Sequence, residues 1–597
     1  MRNPRFTVSN ARAYARRGAF VSDVRAGGKV EWSARCPQGT AVMFQYRGGK
    51  SADALAKTAF VGPDGSSGSF FTESFEAASP LVQYRVFMTS DGQFSPFLAS
   101  VTCGDRRDDS WTRLRDSTPP SVEVVSPLAG DPADSPFRLR ISDESAVCWS
   151  ELQCSVDGRD VNSALRRQDD VVSLAAPAGG WTNGLHCAEI SVSDFHGNLV
   201  KTKRFFFIGV RPPVPKVALR DDGMALVDGE PFFPIGIYDV CARNFNGNNL
   251  DNAFRDLKAA GFNFAHTYGN SYLPQFLSSA KKYDMKLWVR LREPTGDFIR
   301  KGLACREVLA WYLGDDTSLI QTPEELLGHH CNAKAIDPNR LTAQADWIHG
   351  ERAVDCYAAY VSGTDVFMPE IYPLRDELGA KMHAGCVAQT IRDMRRCRAD
   401  IEAARARGDD RRHALWPILQ YFSGWGGWKE FPTRDELFAT TFAAIAEGAN
   451  GIVWYTYGGM AGDNPRCWNF GVTSTPERWQ TICELAGRIR ELTPFLVSRT
   501  PFGLPTVMIE KGPKLALYGQ PAVCSILKRL NDETLVVAVN AVQEPLKVRF
   551  SGEIPLDGRA DVLWEGRSCP VADATFTDDF APFAVHVYRI RSGGVGN

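Results

Sequence analysis

Nine residues, Val308 to Asp316 (VLAWYLGDD), constrain what this chain can fold into more than any other stretch. An unbroken apolar run ends abruptly at two adjacent carboxylates. A run without polar–apolar alternation reads as a strand buried on both faces, the usual condition in a parallel sheet. Charge is costly inside such a strand and tolerable where the chain emerges from it. Asp315 and Asp316 are therefore expected at a strand's C-terminal end.

The surrounding residues repeat this pattern. The segment VALRDDGMALVDGEPFFPIGIY looks like a hairpin feeding a first buried strand at Phe233–Tyr238. Helix Asn249–Ala260 precedes strand two, Asn263–Tyr268, and strand three is Lys286–Arg290. The opening run is strand four. Helix Pro323–Ile336 leads to strand five, Leu341–Asp346, and strand six is Asp365–Tyr372. An Arg-rich helix then runs from about Ala384 to Arg407, followed by strand seven, Ala414–Gln420. Helix Arg434–Glu447, strand eight at Gly451–Tyr457 and helix Pro476–Leu492 complete the series. Eight alternations within roughly 270 residues match a (β/α)8 TIM barrel in number and length.

The flanks are β-rich. Residues 1–110 carry short alternating runs (GKVEWSARC, AVMFQYRG, LVQYRVFMTSDG, FLASVTC) separated by Gly, Ser and Asp turns, as in an antiparallel sandwich. Residues 117–210 repeat the pattern, and Ser191–Asn198 resembles the closing hairpin of bacterial Ig-like modules. RPPVPK is a Pro-rich, semi-rigid linker to the barrel at 217–495. Residues 497–592 return to β pattern and read as a C-terminal sandwich. The fold class is thus multidomain, α/β plus all-β: two N-terminal sandwiches, a barrel and a third sandwich.

Composition narrows the function. A formal net charge of -2 gives no electrostatic reason to expect nucleic acid or an anionic membrane as partner. No apolar stretch approaches the roughly 20 residues that span a bilayer. The start, MRNPRFTVSNARAYARRG, lacks an apolar h-region. The chain is then either cytoplasmic, or secreted or periplasmic with a signal already removed. Fifteen cysteines lean mildly toward export. Cys36 with Cys103, and Cys148, Cys154 and Cys187, leave both disulfides and buried free thiols open. No Cys/His spacing suits a metal and no glycine loop suits a phosphate, so no cofactor is expected. Nothing in these residues sets an oligomeric state.

Within the barrel, DGEPFFPIGIY at strand one, WYLGDD at strand four, MPEIYP at strand six and GIVWYTYGG at strand eight resemble glycoside hydrolases of the (β/α)8 superfamily that includes clan A. Enzymes similar to these often carry accessory β-sandwiches on both sides of the barrel. The resemblance implies an acid/base carboxyl at the end of strand four and a carboxylate nucleophile at strand seven. Asp316 holds the first position with a shorter side chain, and Gln420 holds the second. A neutral amide cannot attack an anomeric carbon as a carboxylate does. By the same resemblance, Tyr372 orients the nucleophile and Trp454 floors the sugar subsite.

Glycosidic cleavage needs a protonated acid at the leaving oxygen and a second carboxylate as nucleophile or as base for water. The strand ends offer Asp315, Asp316, Glu370, Asp346 and Asp239. Asp316 with Glu370 is the preferred pair, and Asp315 is the third candidate. Only one of the adjacent aspartates should face the centre if strand geometry persists; the other would cap or hold a loop. The shorter Asp leans toward the wider, inverting separation, and Glu370 has the alternative of being held by Arg290 or Arg292. Tyr238, His266, Tyr268, Arg290, Arg292, Gln344, Tyr372, Gln420, Trp454 and Tyr457 fall at strand ends, and Trp425 and Trp428 lie in the loop SGWGGWKEF. Aromatic platforms with polar neighbours suit the apolar faces and hydroxyls of a sugar. The leading expectation is hydrolysis of an oligo- or polysaccharide. The alternative is a carbohydrate-binding protein on a degenerate barrel.

Overall fold

A computed structural model of the chain describes residues 17–90, 96–108, 112–113, 119–128, 131–143, 147–194, 197–209, 213–240, 249–267, 273–290, 302–347, 357–379, 381–424, 427–458, 471–499, 505–552, 554–555 and 558–591. It divides into two compact units, Met1–Val210 and Arg211–Asn597.

In the first unit, the segment expected to form a two-sheet sandwich is one continuous seven-stranded sheet. Its spine is the 16-residue strand Phe75–Ser90, whose buried face changes parity between Ala77 and Val82, where its pairing with Arg25–Arg35 shifts register. The first half pairs with Arg25–Arg35, while Arg17–Val21 and Thr40–Gly49 flank the second half. The sheet thereby folds over a core that includes Val30, Phe44, Phe75, Tyr84 and Val101. The next segment is a true pair of four-stranded antiparallel sheets, centred on the Gly184–Ser193 and Leu199–Ile208 hairpin and on Phe137–Ser142. Cys36, Cys103, Cys148, Cys154 and Cys187 are all free thiols, so the disulfides left open by the sequence do not form.

The second unit is built on a closed ring of eight parallel strands. Strand one is Ile235–Ile237, two Phe264–Ala265, three Lys286–Arg290, four Val308–Gly314, five Leu341–Trp347 and six Val366–Ile371. Strand seven is split into Ala414–Leu415 and Ile418–Gln420 around Trp416 and Pro417, and strand eight is Ile452–Tyr455. Strand one pairs with both two and eight, and strand five with both four and six, which closes the barrel. Val308–Gly314 is buried at all seven positions, the all-apolar condition its sequence demands.

Alternate residues fill the barrel: Phe264, Trp288, Ala310, Tyr312, Ala343, Ala345, Val366, Met368 and Val453 belong to one core cluster. Gly236 makes room for this filling. A Cβ there would come 3.1 Å from Val453 Cγ2 and 3.3 Å from Phe264 Cδ1. A three-stranded meander, Val217–Leu219, Ala225–Val227 and Glu230–Phe232, contributes Val217 and Ala225 to the same cluster. Thr322 and Thr433 open the helices Pro323–Ile336 and Arg434–Ala446 with reciprocal capping boxes to Glu325 and Glu436, satisfying their first backbone N–H groups.

The tail forms a three-stranded and a five-stranded antiparallel sheet over a shared core. The helix Arg434–Ala446 packs against the five-stranded one. Among the described residues no helix is long and apolar enough to cross a membrane.

Candidate active site

Side-chain parity decides what reaches the mouth of the barrel. Strand four ends at Gly314, and Asp316 then takes a left-handed conformation (φ 48°, ψ 45°) that turns the chain into the short helix Thr317–Ile320. Asp316 holds that helix's N-cap position without making a side-chain cap, so its carboxyl is not used up there. This break in strand geometry lets both aspartates act on one point. In strand six, Val366, Met368 and Glu370 share the inner face, and Glu370 lies opposite Trp347 of strand five.

Three carboxyls act on one another at this mouth. Glu370 is hydrogen-bonded to Asp315 and lies in the field of Asp316. Burial, the charges of Asp315 and Asp316, the bond to Asp315 and the charge of Asp346 push the Glu370 carboxyl well above its ordinary range. Asp316 is also raised, by burial and then by the charge of Asp315. The Tyr312 hydroxyl donates to Asp315 Oδ1 at 2.8 Å, and Tyr238 lies 3.4 Å from the same oxygen. Among the described residues no arginine forms an ion pair with Glu370, so the arginine-held alternative is not what the structure shows for Arg290. Arg290 itself ends strand three on the inner face, level with Tyr312.

Aromatic rings wall the opening. Tyr372 lies edge-on to Trp428 (5.9 Å) and Phe422 (5.0 Å) and 6.0 Å from Tyr455, which is 5.5 Å from Tyr238. Trp428 donates its indole N–H to the Tyr372 carbonyl at 3.3 Å. Trp347 packs at 5.7 Å from Trp428, and the Arg375 guanidinium lies over Trp347 at 4.7 Å. His266 sits deeper. It stacks on Trp288, and its Nδ1 donates to the Trp288 carbonyl at 2.8 Å. Complete burial pushes it down to about 3, so it is a neutral hydrogen-bonding group, as its isolation from other histidines in sequence suggests.

Other expected site residues lie off the mouth or are engaged by the protein itself. Gln344 faces away from the mouth: its Oε1 accepts from Thr317 Oγ1 at 2.7 Å and its amide donates to the Tyr360 carbonyl. Asp346, on the same face, accepts from Ser318 N at 3.0 Å and Ser318 Oγ at 2.9 Å, so it caps the short helix and cannot touch substrate. Trp454 points outward, donating to Thr441 at 3.2 Å and meeting Phe262 edge-on. The ring that faces the site from strand eight is its neighbour Tyr455. Tyr457 is buried against Trp479 of the last barrel helix. Gln420 is spent on backbone: Leu374 N donates to its Oε1 at 2.9 Å. Asp239 is buried just past strand one, with φ 52°. Tyr268, Arg292 and Trp425 lie outside the described residues.

Sequence reading did not pick out Tyr312, Trp347, Arg375, Phe422 and Tyr455. Counting back by two from Asp316 reaches Tyr312, whereas Trp347 is found only through its register opposite Glu370. The described residues contain no group of three or more His, Cys, Asp or Glu placed to hold a metal ion.

No family model and no curated protein matches the chain. Among solved structures, one described simply as a glycoside hydrolase overlaps at TM-score 0.44 and 14% identity, covering 65% of this chain and all of its own (100%). A family 5 glycoside hydrolase from Bacteroides vulgatus overlaps at TM-score 0.42 and 14% identity, covering 64% of this chain and 96% of its own. A family 39 glycoside hydrolase from Bacteroides cellulosilyticus overlaps at TM-score 0.38 and 12% identity, covering 80% and 95%. The chain is a (β/α)8-barrel protein with antiparallel β-sheet domains before and after the barrel in sequence, and these three solved structures are glycoside hydrolases.

Proposed function

We propose that this protein hydrolyses O-glycosidic bonds in an oligo- or polysaccharide, with Glu370 as general acid and Asp316 as general base. The observation that carries this reading is the carboxyl cluster. Glu370 is hydrogen-bonded to Asp315, half-buried, and faced by two neighbouring carboxyls, so it retains a proton at a pH where an ordinary carboxyl has lost it. A protonated carboxyl at the C-terminal mouth of a barrel is what departure of a sugar oxygen requires.

Asp315 and Glu370 are too close to flank a glycosidic bond as separate catalysts. Flanking carboxyls stand about 5–5.5 Å apart in retaining enzymes and about 6.5–9.5 Å apart in inverting ones, and a hydrogen-bonded pair is closer than either. The pair acts as one proton-holding unit, and the second catalytic carboxylate is Asp316. In the reaction, Glu370 gives its proton to the leaving oxygen as the anomeric C–O bond breaks. A water attacks the anomeric carbon and passes its proton to Asp316. Gln420 supports water rather than a strand-seven carboxylate as nucleophile, because its amide is engaged with Leu374. Trp347, Tyr455 and Tyr372 supply the apolar wall for the sugar ring.

The same Gln420 also favours the second reading, a carbohydrate-binding protein that has lost a catalytic carboxylate. The two readings separate on a glycan panel. The hydrolase releases product and Asp316→Asn stops the release while binding persists. A binder shows affinity and no turnover in wild type and variant alike.

A further inference from the structure

Resting on that reading of the site, we infer that Tyr312, braced by Tyr238, is the positioning residue that decides which of the two hydrogen-bonded carboxyls keeps their shared proton. The argument is a count of hydrogens. A phenol has one hydrogen to donate. The Tyr312 hydroxyl spends its hydrogen on Asp315 Oδ1, 2.8 Å away. The oxygen of Tyr312 is then free to accept only, and the adjacent Tyr238 hydroxyl donates into it. Tyr238 also stands 3.4 Å from Asp315 Oδ1, a second donor in reserve.

Both hydroxyls therefore serve one carboxyl of the pair. Donors stabilise the charged form of the group they reach, so two hydroxyls directed at Asp315 favour the proton on Glu370. Without the tyrosines the preference for the proton on Glu370 would weaken. Each molecule holding it on Asp315 would present an ionised Glu370, unable to protonate a leaving oxygen.

The rings are locked for this role. Tyr238 lies edge-on to His266 (4.8 Å), Trp288 (5.5 Å) and Tyr312 (6.1 Å), and Tyr312 edge-on to His266 (5.1 Å). Tyr238 and Tyr312 are buried, so neither hydroxyl can swing to water. The other titratable or charged groups around the pair are His266 from strand two, Arg290 from three, Asp316 after four, Asp346 from five, Tyr372 after six and Tyr455 from eight. His266 is neutral, and Asp346 is tied to Ser318. The tyrosine pair is thus an asymmetric influence that reaches Asp315 and not Glu370.

The test uses the full chain and compares wild type with Tyr312→Phe, Tyr238→Phe and the double variant, each checked for folding by thermal denaturation. An infrared titration follows the protonated-carboxyl band, assigned by its change in Glu370→Gln. In Tyr312→Phe the lower-pH step of that band moves up by about one pH unit, the double variant moves further, and Tyr238→Phe moves less. For a substrate that wild type cleaves, kcat falls about tenfold in Tyr312→Phe with KM unchanged. An unmoved band in a folded Tyr312→Phe overturns the positioning role and leaves the hydrolase reading intact. A moved band in a protein that cleaves no glycan upholds the positioning role and defeats the hydrolase reading. Should Tyr312→Phe not fold, 3-fluorotyrosine at position 312, a stronger donor of similar size, must lower the same step, and a step that stays in place overturns the inference.

Discussion

Replacing Glu370 by Gln should abolish turnover and, at neutral pH, make the protein more stable. Glu370 is held protonated in the fold, well above its ordinary range. In the unfolded chain it ionises near pH 4.3. Between those values the folded state binds one proton more than the unfolded state, so stability falls as pH rises. Each pH unit of that interval is worth about 1.4 kcal/mol, and the ~2.7 units from pH 4.3 to pH 7 set a ceiling near 4 kcal/mol. Glu370 keeps partial contact with solvent, which reduces the cost to about 1–3 kcal/mol. A Gln amide has nearly the same shape, carries no ionisation cost, and can still donate to Asp315 as the protonated Glu does. Urea denaturation at pH 7 should therefore show the variant stabilised by about 1–3 kcal/mol, with the difference vanishing near pH 4. Equal stability at pH 7, or a variant destabilised at both pH values, would refute the protonated-carboxyl argument.

Four further outcomes follow from the same geometry. Asp316→Asn should eliminate product release over a glycan panel without lowering the unfolding free energy at pH 7, since its carboxyl caps nothing and its charge is disfavoured by burial and Asp315; retained release would remove Asp316 from the mechanism. Gln420→Ala should lower stability by about 1–3 kcal/mol because it strands the buried N–H of Leu374, and an unchanged denaturation curve would contradict that role. Trp347→Ala should raise KM with little loss of stability, whereas Trp454→Ala should lower stability and leave KM alone; interchanged effects would mean the strand faces are misread. His330 accepts from Arg411 at Nε2 (2.8 Å) and lies 2.7 Å from Thr342 through Nδ1, a neutral histidine pushed down to about 4 by burial. Its folded value lies below its unfolded one, so its share of stability is present above pH 6.5 and lost as pH falls toward 4. That 2.5-unit interval is worth roughly 3 kcal/mol at most. His330→Gln should flatten that part of the stability–pH curve, and an unchanged slope would refute the assignment.

The barrel was legible because its strands are all-apolar runs punctuated by polar loops, and strand four runs straight into its two aspartates. What such runs hide is parity. In Ile452–Tyr455 both faces are apolar, one packing on helices and the other on the barrel filling, so nothing in the residues says that Tyr455 rather than Trp454 faces inward. The register with Gly236 and Ile237 settles it, and that is a tertiary fact. Gln344 was misplaced for the same reason. Asp315 and Asp316 show the opposite case. Strand alternation would send one of them away, but the left-handed turn at Asp316 ends the alternation at Gly314. The first N-terminal segment illustrates a third limit: its alternation showed strands, but not that one 16-residue strand would join both halves into a single sheet.

Digestion of a glycan panel by wild type and Glu370→Gln, followed by NMR at the anomeric protons, bears most directly on the central claim. The account predicts that wild type liberates a reducing sugar whose first-formed anomer is inverted, and that the variant binds the same glycan and liberates none. Undiminished release by the variant would contradict it.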